Sequence, residues 1–391
     1  MWKTKALALA LAAGLAGFGS AQAEDTVKIG VILPLTGPFA DTGIQVDNGI
    51  KLFMKENGDT VAGKKVEIIT KDVGGIAPDV AKRLAQELVV RDKVDILAGF
   101  ALTPNALAVG PISEEAKKFM VVMNAATSII TTKSPYMTRT SMTTPMVNEV
   151  LGKWAYDNGV KEAYTINADY GPGNDAQAAF QRAFEAAGGK IVGADKTPVA
   201  NPDFAAFVQR AKDANPQGIW VFIPGGAQPA ALGKALAERG LTPANTKIMA
   251  QGELTLDEAL ASMGDSALGI ITGFHYDYNH QSEKNADFVK AYREMFSRNP
   301  DIYSIGGYDG MHVIYEALKK TDGNTDGQAL IDAAKGMSWE SPRGPMSIDP
   351  ETRDVIEDIY IRKVEKDANG NLVNVEFDKV EAVKDPVKAR M

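Results

Sequence analysis

The chain of 391 residues contains no cysteine. That absence removes several kinds of chemistry at once: disulfide bridges, thiolate metal sites, a cysteine nucleophile, and lipid attachment to a cysteine at a processed N-terminus. Histidine is almost as scarce. His275, His280 and His312 are the only three, too few and too scattered for a metal centre, and His275 reads as a solvated loop residue before it reads as a ligand contact. Positive charge is not concentrated anywhere, and 42 Lys and Arg against 50 Asp and Glu leave a formal charge of −8. Nucleic acid is therefore not an expected partner, since phosphate contacts supply most of that affinity. The chain also lacks GxGxxG after a strand, GxxxxGK[ST], HExxH and GxSxG. One metal-like pattern remains. Residues 322–327 (DGNTDG) match the first half of a calcium loop, but the twelfth position, which should be a bidentate Glu, is Ala333, so a solvated loop between helices is expected. No metal and no cofactor are expected.

What is present begins with a processing segment. Residues 1–5 are positively charged, 6–19 are apolar and small, and Ala21-Gln22-Ala23 is a small-residue cleavage signature before Glu24. This reads as a secretory signal peptide cut after Ala23. The apolar run is shorter than the about 20 residues that a membrane span requires. An exported, soluble periplasmic monomer is expected. An apolar content of 45% and this length suffice for two α/β units with filled cores.

Strand and helix patterns alternate from residue 26 onward. Residues 26–33, 65–71, 95–98 and 119–123 read as strands, and 44–56, 79–91 and 106–116 as helices. The order β-α-β-α-β-α calls for a parallel sheet covered on both faces. Residues 134–145, with two prolines and four threonines and no periodicity, read as a crossing between units. The alternation restarts at 146 and runs through predicted strands 163–166, 190–194, 218–223, 246–250 and 268–274. Residues 275–279 (HYDYN) read as a crossing back, 303–310 (YSIGGYDG) as a loop, 311–320 as a helix, and 343–347 and 359–364 as terminal strands. The expected division is a signal peptide at 1–23, one unit from 24–145 with 273–342, and a second from 146–272 with 343–391.

The stretch 95–111 (DILAGFALTPNALAVGP) sits at the centre of this reading, because it runs from a buried strand through a glycine turn into a helix start. Such a turn leaves N–H groups free to hold an anion, with Thr103 as cap and hydroxyl donor. A second turn, 124–128 (NAATS), follows the next strand. Ligands in open α/β sheets settle beyond the carboxyl ends of strands, so Thr103, Thr127 and Ser128 describe one pocket.

In order, PLTGPFADTG, GFALT, MNAAT, ADYGPG and GYDGM resemble the leucine/isoleucine/valine-type periplasmic binding proteins of ABC importers, across nearly all of the expected mature chain. The resemblance implies two Rossmann-like lobes, of the type I periplasmic binding protein class, joined by three hinge crossings and closing on a small molecule. It implies a carboxylate site at Thr103, Ala125 and Thr127. Thr42 replaces an aromatic of the first loop, Tyr170 falls on a tyrosine of the second lobe, and Gly225, Gly226 and Ala227 fall on a strand end where an aromatic is often found. Glu253, offset by a residue, is the candidate acid for a ligand ammonium, Tyr276 and Tyr308 are aromatic candidates, and Asp309 is a second acid. A binding protein that delivers a branched-chain or hydrophobic amino acid, or a related organic acid, to a membrane permease is the leading expectation. An aromatic carboxylate, benzoate-like or phenylpropenoid, is the alternative ligand, because three tyrosines line a pocket left wide at Thr42 and Ala227. A hydrolase using Asp309 or Glu253 as base lacks a nucleophile partner, and a sensory domain would continue into a membrane segment that does not follow Met391.

Overall fold

The computed structural model describes residues 26–226 and 228–390, so the expected signal peptide and Ala227 lie outside the described residues. Among the described residues, the strands form two sheets. The first contains β1 (Thr26–Leu33), β2 (Thr60–Val61), β3 (Lys64–Asp72), β4 (Ile96–Gly99), β5 (Phe119–Val122) and β6 (Met137–Arg139), in the order β2-β3-β1-β4-β5-β6. The second contains β7 (Glu162–Ala168), β8 (Lys190–Thr197), β9 (Gly218–Phe222), β10 (Lys247–Gln251), β11 (Ile271–Phe274), β12 (Ser338–Ser341), β13 (Gly344–Ile348), β14 (Val355–Lys366) and β15 (Leu372–Val383). Its order is β12-β13-β14-β11-β10-β9-β7-β8, with β15 paired to β14.

Each lobe has a parallel core in which the first strand lies between the second and the third. Ile29 of β1 stands opposite Ile68 of β3 and Ile96 of β4, and Thr165 of β7 stands opposite Ala194 of β8 and Trp220 of β9. The strand order therefore reverses at β1/β4 in one lobe and at β7/β9 in the other. Those reversals open the crevices in which doubly wound sheets bind ligands. The central strands are buried on both faces, and β4, β5 and β9 contain no exposed residue. Buried strands need continuous apolar runs, and ILAG, FMVV and GIWVF are such runs.

The lobes are joined where the chain passes between sheets, and buried ion pairs hold those passages. Arg343 lies 2.8 Å from Asp309 and 3.0 Å from Glu357, Arg139 lies 2.7 Å from Asp354, and Arg362 lies 3.0 Å from Asp277. Each guanidinium is almost fully buried, so loss of one partner would strand a charge in a dry environment.

Two local expectations change. The 134–145 crossing contains β6, so the first sheet extends farther than expected. Residues 303–310 belong to the helix Ile302–Lys320, capped by Asp301, whose side chain accepts from the N–H groups of Tyr303 and Ser304. Their glycines are close-approach positions: a Cβ on Gly306 would lie 2.1 Å from the Met123 carbonyl oxygen and one on Gly307 2.1 Å from that of Val46. In the calcium-like stretch, Asp326 caps the helix Gly327–Ala334 by accepting from Gln328 and Ala329 N–H groups.

Candidate functional site

The first-lobe wall of the cleft is built from two turns that brace one another. Gly99 (φ +99°) and Phe100 (φ +62°) both occupy the left-handed region. A buried phenylalanine there costs about 1–3 kcal/mol, and surrounding bonds hold it in place. The Phe100 N–H donates to Ile32 O at 2.9 Å, and Phe100 O accepts from the Ala125 N–H at 3.0 Å. Asn124 Nδ2 donates to Ala101 O at 2.8 Å, and the Thr127 N–H reaches Thr103 Oγ1 at 3.4 Å. Thr103 is the first residue of the helix Thr103–Glu115, not its cap, which is Leu102. Its hydroxyl faces the second turn. The buried hydroxyls of Thr127 and of Thr144, at the start of the helix Thr144–Asp157, have no partner among the described residues. Buried hydroxyls normally have partners; of these two, Thr144 borders the enclosed space described below.

The second-lobe wall carries rings and one acid. Tyr170 precedes the helix Gly171–Ala186 and packs against Phe222, ring centroids 6.3 Å apart. Glu253 lies in a 3₁₀ turn, Gly252–Thr255, directly after β10. Arg362 pins that turn by donating to Gly252 O at 3.4 Å. Glu253 is only 7% exposed, Oε1 accepts from Gln251 Nε2 at 3.0 Å, and Oε2 has no partner among the described residues. Burial raises its carboxyl to about 7, against opposing pulls from its hydrogen bonds and from Arg362. Burial also raises the Tyr170 and Tyr303 hydroxyls, with the charge of Glu253 adding to the effect.

The walls touch, so the lobes are closed. The Ser128 N–H donates to Asp175 Oδ2 of the other lobe at 3.1 Å. A Cβ on Gly171 would lie 3.1 Å from Thr127 Oγ1, and one on Gly225 would lie 2.3 Å from Tyr303 Oη. The enclosed space is about 50 Å³, bounded by Thr103, Ala125, Thr144, Tyr170, Glu253 and Tyr303, with Phe39, Thr42 and Phe222 beside them. An outer chamber of about 620 Å³ begins beyond Thr42, Glu253 and Tyr303. A ring-sized molecule cannot enter the inner space until the lobes part, which ties binding to hinge motion.

Three of the expected site residues are elsewhere. Tyr276 borders the outer chamber only, and its hydroxyl donates to Asn285 Oδ1 at 2.9 Å. Tyr308 lies on the helix Ile302–Lys320, against Phe53 and Phe288, and donates to Glu56 Oε2 at 2.6 Å. Asp309 is occupied by Arg343, Trp339 and Ser341. His275 is buried, not solvated, and burial together with Arg343 and Arg362 holds its imidazole well below the usual range. The residues missed were Phe39, Thr144, Phe222 and Tyr303, the last of them five residues before Tyr308 on the same helix. The signal for Tyr303 was the Asp301–Ser304 capping pattern, which starts a helix where glycines suggested a loop.

Comparisons with known proteins agree with this architecture. The periplasmic binding protein family model matches residues 26–370. Leu/Ile/Val-binding protein homolog 6 of Brucella melitensis is 43% identical over 384 residues, covering 98% of each chain. A solute binding protein of an ABC transporter from Rhodopseudomonas palustris BisB5, solved in complex with 3,4-dihydroxybenzoic acid, is 54% identical with a TM-score of 0.90, over 93% of this chain and 100% of that one. Another from Rhodopseudomonas palustris HaA2, in complex with p-hydroxybenzoic acid, is 40% identical with a TM-score of 0.91, over 94% and 100% of the two chains.

Proposed function

We propose, from the premise that this chain belongs to the periplasmic binding protein family and is the substrate-binding component of an ABC transporter, that the ligand it captures is a small aromatic carboxylate. The observation that carries this reading is the pairing of buried hydroxyls on the first-lobe wall with aromatic rings supplied by both walls. Thr103 and Thr144 line the space and offer hydroxyls to a carboxylate, with Thr127 next to Thr103, while Phe39 and Tyr303 of the first lobe and Tyr170 and Phe222 of the second provide flat apolar surface beside them. A ring gains more from such a lining than a branched aliphatic chain does. The relatives solved with hydroxylated benzoic acids support the same reading.

Capture proceeds by closure. One lobe fixes the carboxylate, the other covers the ring, and the membrane permease receives the closed form. No catalytic step is part of this role. The mature protein is a periplasmic monomer starting at Glu24, and the intact mass of periplasmic material tests that start.

A branched-chain amino acid is the second reading, favoured by the Leu/Ile/Val-binding homologue and by a carboxyl at Glu253 able to meet an ammonium. A thermal-shift panel of leucine, phenylalanine, glutamate, benzoate, 4-hydroxybenzoate and coumarate separates them, because a tight ligand raises Tm by mass action. Stabilisation by the ring acids alone is expected. Stabilisation only by compounds bearing an α-ammonium would overturn the aromatic reading.

A further inference from the structure

Glu253 is the end of a buried hydrogen-bonded chain. Trp220 Nε1 donates to Asn148 Oδ1 at 3.1 Å, Asn148 Nδ2 donates to Gln251 Oε1, and Gln251 Nε2 donates to Glu253 Oε1 at 3.0 Å. Trp220, Asn148 and Gln251 are at most 2% exposed. They come from β9, the helix Thr144–Asp157 and the end of β10.

The direction of this chain is fixed at its head. An indole N–H can only donate, so Asn148 must turn its oxygen to Trp220. Its amide NH₂ then faces Gln251, which must present its own oxygen there and its NH₂ to Glu253. Glu253 Oε1 is consequently an acceptor in either protonation state, and any proton the carboxyl holds sits on Oε2. Oε2 is buried beside the ligand space and has no partner among the described residues. It accepts a hydrogen bond when Glu253 is ionised and donates one when Glu253 is neutral.

We infer that the Trp220–Asn148–Gln251 chain directs Oε2 of Glu253 at a ring hydroxyl of the ligand, so that Glu253 selects hydroxylated ring acids over unsubstituted ones. The inference rests on the aromatic reading above. A hydroxyl both donates and accepts, so it satisfies Oε2 whichever state the carboxyl is in. A ring C–H or methyl at the same place leaves the oxygen buried and unpaired. Sites built to hydrogen-bond a hydroxyl reject analogues lacking it far more strongly than apolar pockets reject an extra group. Asn148 and Gln251 act through Glu253 and are positioning residues.

The test is calorimetric titration of the mature protein and its variants with 4-hydroxybenzoate, 4-methylbenzoate and benzoate, with melting curves alongside. The wild type should prefer 4-hydroxybenzoate to 4-methylbenzoate by roughly a hundredfold. Glu253→Leu should bring the two within about threefold while retaining benzoate, and Glu253→Gln, which keeps the shape, should fall between. Asn148→Leu should shrink the preference without abolishing benzoate binding, which a purely structural role would not do. The full wild-type preference retained in a natively melting Glu253→Leu or Glu253→Gln protein overturns the inference. Equal wild-type affinity for all three acids overturns it and leaves the aromatic reading standing. Binding of leucine with no ring acid bound overturns both.

Discussion

The two walls of the cleft use different physics. On the first lobe, the proposed recognition rests mainly on backbone: the Gly99–Phe100 turn, the Asn124–Thr127 turn, and the hydroxyls around them. On the second, it lies in side chains, with Glu253 held at the end of a relay and rings around it. A carboxylate is common to both candidate ligand classes, so the first wall cannot distinguish them. In the proposed binding mode the second wall faces the part of the ligand in which the classes differ. Affinity and selectivity are, in that mode, divided between the lobes.

The strongest disturbance should come from keeping both walls and preventing them from meeting. Gly225→Val introduces a Cβ where Tyr303 Oη would be 2.3 Å away. Overpacking of this kind costs about 3 kcal/mol at the upper end of its usual range, or roughly a hundredfold in affinity. Ring acids and amino acids should be affected alike, because the block is on closure. Titration together with small-angle scattering checks it. A variant that closes and binds normally would show that the Gly225–Tyr303 approach does not limit closure.

Next come the hydroxyls of the first wall. Thr103→Ala and Thr127→Val should each weaken any carboxylate ligand by about 2 kcal/mol, since each removes a polar partner from the turns around a buried charge, with Tm almost unchanged. The loss should be equal for 4-hydroxybenzoate and benzoate. A change in the ratio of the two would mean that the first wall also selects.

These turns were legible in the sequence because a buried strand, a small-residue turn and a helix start occupy consecutive residues. The second wall was not. Its acid lies in a 3₁₀ turn that displaces Glu253 from a regular strand-to-helix register, and its relay draws Asn148, Trp220 and Gln251 from separate elements. Nothing in local spacing links residues 72 or 103 positions apart. Tyr303 was hidden differently. Gly306, Gly307 and Gly310 suggested a loop, whereas they let the helix Ile302–Lys320 lie against the Met123 and Val46 backbone and the Met123 side chain. Glycine marks close approach as readily as it marks a turn.

A pH series sharpens the contrast. Burial raises Glu253 to about 7 from an ordinary value of 4.5, so the folded protein holds this proton more tightly than the unfolded chain. The sign follows: its contribution to stability is full below pH 4.5 and is lost as pH rises through about 7. Asp277, raised to about 6, and Asp301, raised to about 7, act in the same direction, again through burial. Tm of the ligand-free protein should fall between pH 5 and 8 by more than in Glu253→Gln. A ligand ammonium requires ionised Glu253, so amino-acid affinity would drop by up to about tenfold per unit below pH 7. Ring-hydroxyl affinity should stay nearly flat from about pH 5.5 to 8, because either state of Oε2 has a match. A steep profile for 4-hydroxybenzoate would reassign Glu253 to a charge-pairing role.

The smallest effect is expected at Tyr308, and it bears on where the first lobe's contribution ends. Tyr303 and Tyr308 share one helix but are five residues apart, more than one turn at 3.6 residues per turn, so they face different surroundings. Tyr303 meets Gly225 across the cleft, whereas Tyr308 packs edge-on to Phe53 and Phe288 and donates to Glu56 near the surface. Tyr308→Phe keeps the ring and removes only a hydrogen bond to a carboxylate that solvent can replace. Stability should fall by no more than about 1 kcal/mol, and affinity for every ligand should remain within about twofold of wild type. Tyr303→Phe in the same background supplies the contrast, because its oxygen borders the ligand space. If Tyr308→Phe lowered affinity as much as Tyr303→Phe, the helix would transmit changes from its far face to the cleft, and the division of labour between walls would extend into the core behind them.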